Sequence, residues 1–234
     1  MNKGNLTDFI KQYHLNGTVE ATKWLITNKT ISTSLISEDK TLIGNVTKSD
    51  IDIEDGEVGV YITSNLLKIL DVFNPDINIK FNKSDTRTVN LDITDKETSA
   101  QYMLADLNVI PVAPKPKNIP AFQLKLVIDN VLVNKIKKAK TALPDISHIT
   151  FNGNNLIVGY SKNNTTNISF DTAAQLDGDI AYKSFNSNYL VDIFNANAGM
   201  DSGVIEVSQA GLMKVTYTSK TGSAEYFLVE VNIV

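Results

Sequence analysis

Two stretches of this chain read alike. SAQYMLADLNV runs from Ser99 to Val109, and SAEYFLVEVNI runs from Ser223 to Ile233. Ser, Ala, Tyr, Leu and Asn recur in place, about half the chain apart. A second pair, Ser64-Asn65-Leu66-Leu67 and Ser187-Asn188-Tyr189-Leu190, sits at almost the same offset. Two matches at one spacing imply a duplicated unit of about half the chain. That constrains the fold to two similar halves, each passing from a short helix through strands to this closing strand.

The pattern of apolar residues fills in each half. Leu6, Phe9, Ile10 and Tyr13 fall on one face, which predicts a helix over Asn5–His14. From Thr18 to Ile62 the period is two, broken by turn signals at Asn28-Lys29, Glu38-Asp39 and Asp55-Gly56. Ser64 is expected to cap a helix over Asn65–Phe73 that Pro75 stops. Alternating segments then lead to the closing strand at Ser99. Pro111, Pro114, Pro116 and Pro120 crowd into VIPVAPKPKNIP. Proline fixes φ and cannot donate to a ladder, so this reads as an extended connector.

The second half is expected to open with a strand over Phe122–Ile128 and a helix over Asn130–Leu143, capped by Asp129. Strands follow at Ile146–Asn152, Leu156–Ser161, Thr166–Phe170 and Ile180–Phe185. Ser187 caps a fourth helix, and strands at Val204–Ser208, Leu212–Tyr217 and Ala224–Val231 close the chain. Four helices among antiparallel strands give an α+β class. The domain expectation is residues 1–109, a connector over 110–120, and residues 121–234.

Composition narrows the chemistry. Cysteine is absent, which removes disulfides, thiolate nucleophiles and cysteine-based zinc sites. The start, MNKGNLTDFI, lacks the apolar core of a signal peptide, and no apolar run is long enough to span a membrane. The expected location is the cytoplasm. The net charge is −4, so a nucleic-acid role requires local gathering of Lys and Arg.

Such gathering occurs in the helix over Asn130–Leu143. Leu132, Ile136, Ala139 and Leu143 form an apolar stripe, with Asn134, Lys137, Lys138 and Thr141 opposite and Lys135 and Lys140 at the flanks. The functional reading is a lysine face meeting a polyanion; the structural one is an ordinary solvated helix face. There is no glycine-rich phosphate loop, and His14 and His148 have no metal-ligand spacing. Acidic residues cluster at Asp50–Asp55 and at Asp177-Gly178-Asp179, where exposed strand ends and loops account for them. No nucleophile–base–orienter set assembles, so no catalytic residue, cofactor or metal is expected.

With duplicated halves, two helices per half, a proline-rich connector and lysines gathered on helices, the chain resembles the DNA sliding clamps. The nearest patterns are the T-even bacteriophage clamps and proliferating cell nuclear antigen. The connector VIPVAPKPKNIP leading into AFQLKLVI carries the resemblance, with SNLLKIL after GVYI and the run SNYLVDIF…GVIEVSQAGLMKVTYTS…AEYFLVEV. It implies two clamp-type domains per chain and a homotrimeric ring around double-stranded DNA. It implies a processivity role in DNA replication, with a DNA polymerase and a clamp loader bound through short peptide motifs, and no enzymatic activity. DNA-facing residues would be Lys11, Lys68, Lys137 and Lys138, flanked by Lys135 and Lys140, whereas Ser187–Ala196 brings no Lys or Arg. The subunit interface would join Tyr102, Met103 and Leu104 of one copy to Ile168 and Phe170 of the next. The partner-peptide pocket would comprise Leu42, Ile43, Ile110, Val112, Val231 and Val234. The alternatives are a β-rich structural or adhesion module of a phage virion and a hydrolase using the acidic clusters.

Overall fold

In α1 (Lys3–His14) the stripe Leu6, Phe9, Ile10 and Tyr13 is fully buried. These helix boundaries come from a computed structural model, which describes residues 1–84, 87–163 and 166–233. The helix starts before the Asn5 that its apolar stripe suggests, because the Asn2 side chain accepts from Gly4 N at 2.7 Å. It stops where Leu15 and Asn16 turn left-handed, at φ 46° and 55°.

Next come β1 (Thr22–Thr27) and β2 (Thr30–Ile36), an antiparallel hairpin in which Thr27 faces Thr30. Its two turn residues, Asn28 and Lys29, both take positive φ (50° and 59°), the requirement of a tight hairpin turn. β3 (Leu42–Lys48) and β4 (Gly56–Val60) complete a set ordered β4–β1–β2–β3. Trp24 and Ile26 point into the core, and Leu25 between them is 53% exposed. Phe9 and Tyr13 meet the Trp24 ring edge-on, with centroids 5.8 and 6.4 Å away. Helix and sheet thus share one aromatic cluster.

α2 (Thr63–Asp71) begins one residue before the expected cap, Ser64. Its N-cap residue, Ile62, has no capping side chain; the Glu20 carboxylate accepts from the Ser64 amide and hydroxyl instead. β5 (Asn78–Ser84), β6 (Arg87–Thr94) and β7 (Ser99–Met103) form an antiparallel sheet in that order, with Leu91 opposite both Phe81 and Tyr102.

Residues 110–123 hold neither helix nor strand. Beyond them lie β8 (Leu124–Val127), α3 (Asn130–Ala142), β9 (His148–Asn152), β10 (Asn155–Val158) and β11 (Ile168–Asp171). Then come the short β12 (Gln175–Leu176), β13 (Lys183–Asn186) and α4 (Ser187–Ala196). β14 (Ser202–Ser208), β15 (Leu212–Ser219) and β16 (Gly222–Val229) end the chain's regular structure. β13 starts later than the expected Ile180, because Tyr182 sits at φ 47° and breaks the extended path. Ser187 is the first helical residue of α4 rather than its cap; the Asn186 side chain accepts from the amides of Asn188 and Tyr189.

The chain divides into two compact units. One takes Met1–Glu38, Gly44–Ala113 and Lys220–Ala224; the other takes Asp39–Ile43, Pro114–Ser219 and Glu225–Val234. Apart from β12, the same succession of helix, four strands, helix and three strands occurs twice, starting from α1 and from α3. The pairing orders β4–β1–β2–β3 and β13–β9–β10–β11 also correspond strand for strand. The repeat seen in sequence is therefore a repeat of topology, and the fold is α+β.

One position in the repeat is filled differently. In the first unit, Lys220–Ala224 lies along the end of β3, where Ser49 N donates to Thr221 O at 2.7 Å. In the second, Val229 N at the end of β16 donates to Thr41 O at 2.9 Å. β3 and its counterpart β11 differ in this respect. β11 forms the outer edge of its sheet, and β7, the counterpart of β16, forms the outer edge of its own.

The aromatic cluster gives a direct stability test. Phe9→Ala is expected to cost about 3–5 kcal/mol in urea unfolding, the range for a fully buried aromatic. Leu25→Ala, on the open face of the neighbouring strand, is expected to cost less than about 0.5 kcal/mol.

Candidate functional site

α3 is set in place by its sequence. The Asp129 carboxylate accepts from Leu132 N at 2.7 Å and caps the helix. Leu132, Ile136 and Ala139 are buried, and the narrow stripe leaves most of the helix surface to solvent. The four lysines then diverge. Lys138 is exposed and Lys137 half-buried. Lys140 donates to the carbonyls of Pro144 and Ile146, which ties down the turn after the helix. Lys135 leans the other way, its ammonium 5.6 Å from the centroid of the Phe170 ring.

Lys11 on α1 and Lys68 on α2 are exposed. Lys3 donates to Phe73 O and so joins the two ends of the first helical pair. α4 presents Asn188 and Asn195 to solvent and has neither Lys nor Arg.

α1 and α2 are also linked by a small polar network. His14 Nε2 lies 3.1 Å from both Glu20 Oε1 and Ser64 Oγ, and Glu20 accepts from the Ser64 amide at 2.9 Å. Burial works against the charged Glu20 carboxyl, yet the Ser64 hydroxyl and amide and His14 outweigh it and hold its pKa below the usual value. Serine, histidine and glutamate here do not make a catalytic relay, since one imidazole nitrogen faces both partners. His148 is structural as well, its Nε2 2.7 Å from Tyr160 O.

The acidic stretches are loops. Ile51 and Ile53 are buried, while Asp52 pairs with Lys29 at 3.5 Å and Glu54 with Lys83 at 3.4 Å. Asp177 and Asp179 are exposed. Among the described residues no group of three or more His, Cys, Asp or Glu could hold a metal ion. Among them, too, no helix is long and apolar enough to cross a membrane.

Two of the terminal strands, β7 and β11, are flanked by apolar grooves. Beside β7 a groove of about 680 Å³ is lined by Ile62, Ile69, Tyr102, Met103, Leu104 and Val109, among others. Tyr102 is buried, and its hydroxyl donates to Ile62 O and accepts from Ile62 N, each at 3.1 Å. Met103 is 69% exposed. Beside β11 a groove of about 270 Å³ is lined by Val127, Val131, Leu132, Lys135 and Phe170, among others. Ile168 and Phe170 are half-buried, facing Val158 and Leu156 across the pair.

Sequence reasoning singled out Tyr102, Met103, Leu104, Ile168 and Phe170 but missed Ile62, Ile69, Val127 and Val131. The available signal was an apolar residue off the buried stripe, as with Val131 on the solvent side of α3 at 62% exposed.

Of the residues expected to bind partner peptides, Leu42 is buried and Ile43 half-buried. Ile110 is buried and lies against Gly59, where an added Cβ would come within 3.1 Å of its side chain. Val112 is exposed, and half-buried Val231 donates its amide to Ser184 O at 2.8 Å. Leu42, Ile43 and Val231 belong to the second unit, Ile110 and Val112 to the first. Val234 lies outside the described residues.

Neither a scan against protein-family models nor a search of curated proteins finds a match. Solved structures do match over nearly the whole chain. Proliferating cellular nuclear antigen from Entamoeba histolytica is 13% identical, with a TM-score of 0.74 over 99% of this chain and 96% of that one. The PCNA2–PCNA3 complex from Sulfolobus tokodaii gives 13% identity and a TM-score of 0.72, covering 98% and 97%. A. fulgidus PCNA, solved with the C-terminal region of FEN-1 bound, gives 15% identity and a TM-score of 0.73, covering 100% and 98%. The chain therefore has the fold of the PCNA-type clamps. These similarities lend no support to a virion adhesion module.

Two measurements test the local geometry. Asp129→Ala is expected to lower stability by about 1 kcal/mol, the usual cost of a lost N-cap, in urea unfolding. Glu20 binds its proton less readily folded than unfolded, so its contribution is full above the unfolded carboxyl pKa, about 4.3, and is lost as pH falls through the lower folded value. Glu20→Gln is thus expected to be less stable than the parent at pH 7, with the gap closing in acid.

Proposed function

We propose that this chain is a sliding clamp: three copies close head to tail into a ring around duplex DNA and tether a replicative DNA polymerase, without catalysing a reaction. The observation that carries this reading is the pair of open edges. β3 has a β16 segment beside it, whereas their topological counterparts, β11 and β7, lie at sheet edges with apolar grooves beside them. An exposed strand edge is a template for another chain. One edge of each kind per copy is the requirement for a heterologous assembly that closes. Two units per chain, repeated three times, would make six similar segments.

In this ring Tyr102, Met103 and Leu104 of one copy meet Ile168 and Phe170 of the next. The helices line the hole, where Lys11, Lys68, Lys137 and Lys138 attract phosphates, with Lys135 and Lys140 beside them. Phosphate contacts bear no sequence information, so the ring slides. The pocket for polymerase and loader peptides is assigned to Leu42, Ile43, Ile110, Val112, Val231 and Val234. The A. fulgidus structure offers a parallel, since that PCNA holds a partner's C-terminal region. The T-even pattern in the sequence points to a phage replisome in a bacterial cytoplasm.

Sedimentation should give about three times the 25.7 kDa chain mass at micromolar concentration. Met103→Asp, at an exposed position, should shift the protein to monomers that keep the far-UV circular dichroism of the parent. A parent chain that stays monomeric would sink the ring. A topological grip should also require a free DNA end: duplex blocked at both ends before mixing should not be bound, whereas duplex blocked after mixing should retain the protein through a salt wash. Equal binding to both would show ordinary surface attachment.

A further inference from the structure

The two units differ in how they flank the strand that follows their second helix. In the second unit that strand is β14, and β8 runs along its outer side, with Val127 opposite Val204 and Leu124 opposite Val207. In the first unit it is β5, a terminal strand whose one strand partner among the described residues is β6. β8 comes just ahead of α3, but the residues just ahead of α1 do not take its place along β5. They reach only the stretch before it, where Ile77 N donates to Met1 O at 3.0 Å and Lys3 N to Pro75 O at 2.8 Å. Backbone groups alternate sides along an antiparallel strand, so those of Ile79 and Phe81 point the same way as the Ile77 amide. Among the described residues no backbone group pairs with them on that side.

A ladder of charges tells what would fit there. In the second unit it crosses four strands with alternating sign. Lys125 of β8 stands opposite Glu206 of β14, and Glu206 opposite Lys214 of β15. The Lys214 ammonium lies 3.9 Å from Glu206 and 2.9 Å from Glu225 of β16. In the first unit Lys80 of β5 stands opposite Asp92 of β6, and Asp92 opposite Gln101 of β7. Gln101 matches Glu225 in the sequence repeat, SAQYM against SAEYF, which sets the register. Lys80 thus holds the place of Glu206 with the sign reversed, and the rung beyond it has no counterpart of Lys125. Lys80 is exposed and has no ion pair among the described residues, whereas Lys83 on the same strand is held by Glu54 at 3.4 Å. Opposite charges on directly facing residues stabilise a strand pair, and like charges destabilise it.

We propose that β5 is an acceptor edge for an extended segment of a partner protein. The segment adds to the sheet as an antiparallel strand, bonds to the backbone of Ile79 and Phe81, and sets an Asp or Glu opposite Lys80. Apolar residues on either side of that carboxylate take the places that Leu124 and Leu126 hold in β8, where both are buried. Main-chain bonds supply affinity, and the charge selects the partner. Another copy of β5 would bring lysines against lysines, which guards the edge against self-pairing. β5 is distinct from the two edges assigned to the ring, and its use does not require three copies to close.

Two N-acetylated, C-amidated peptides serve as probes: residues 122–128 as they stand in β8, FQLKLVI, and the same peptide with Lys125→Glu. Each is mixed with the whole chain, and amide hydrogen exchange is followed residue by residue. The Lys125→Glu peptide should slow exchange at Ile79 and Phe81 and bind several-fold more tightly than its parent. In a chain carrying Lys80→Glu, at an exposed position, the preference should reverse. Unchanged exchange at Ile79 and Phe81, or slowing confined to β7 or β11, would overturn the proposal. Equal affinity of the two peptides, or a preference that Lys80→Glu leaves as it was, would do the same.

Discussion

A strand at the edge of a sheet exposes a row of backbone donors and acceptors, and the architecture of this chain turns on which edges are filled. The topology repeats, but its edge pairing does not. β3 has a segment of β16 along it; among the described residues, β11 and β7 occupy the corresponding places without such a neighbour. The apolar grooves lie beside those same two strands, lined by Met103 and Ile69 in one unit and by Val131 and Phe170 in the other. Unfilled hydrogen-bonding groups and uncovered apolar surface thus coincide, and that coincidence is what supports the ring proposed above.

The helices answer a different demand. Each rests a limited apolar stripe on its sheet and leaves the rest free. α1 buries Phe9 and Tyr13 against Trp24 and is anchored firmly, while α3 buries only Leu132, Ile136 and Ala139. A narrow stripe leaves room for a lysine face. Tertiary contacts then assign the lysines separate tasks: Lys140 holds a turn, Lys135 lies over an aromatic ring, and Lys137 and Lys138 remain available. Four like residues on one helix are not four copies of one function.

Much was legible in the sequence, because it rests on short-range periodicity. The stripes of α1 and α3, the Asn28-Lys29 turn, the Asp129 cap and the twin segments at Ser99 and Ser223 all appear in the structure as elements or turns. The misplacements have separate causes. Ser64 reads as a cap but binds Glu20; Asn2 caps a helix whose apolar stripe begins only later; Tyr182 breaks a strand by its backbone angle.

What the sequence by itself determined was the duplication, the helical and strand periods, and the gathering of lysines on one helix. These follow from residue spacing, since side-chain direction in helices and strands depends on spacing alone. Only the tertiary structure decided which edges stay open, which apolar residues line grooves rather than the core, and which lysines are engaged. Those depend on pairing between residues far apart in the chain. Leu42 and Met103 are equally apolar in sequence; one is buried beneath its neighbours and the other stands exposed at a strand edge.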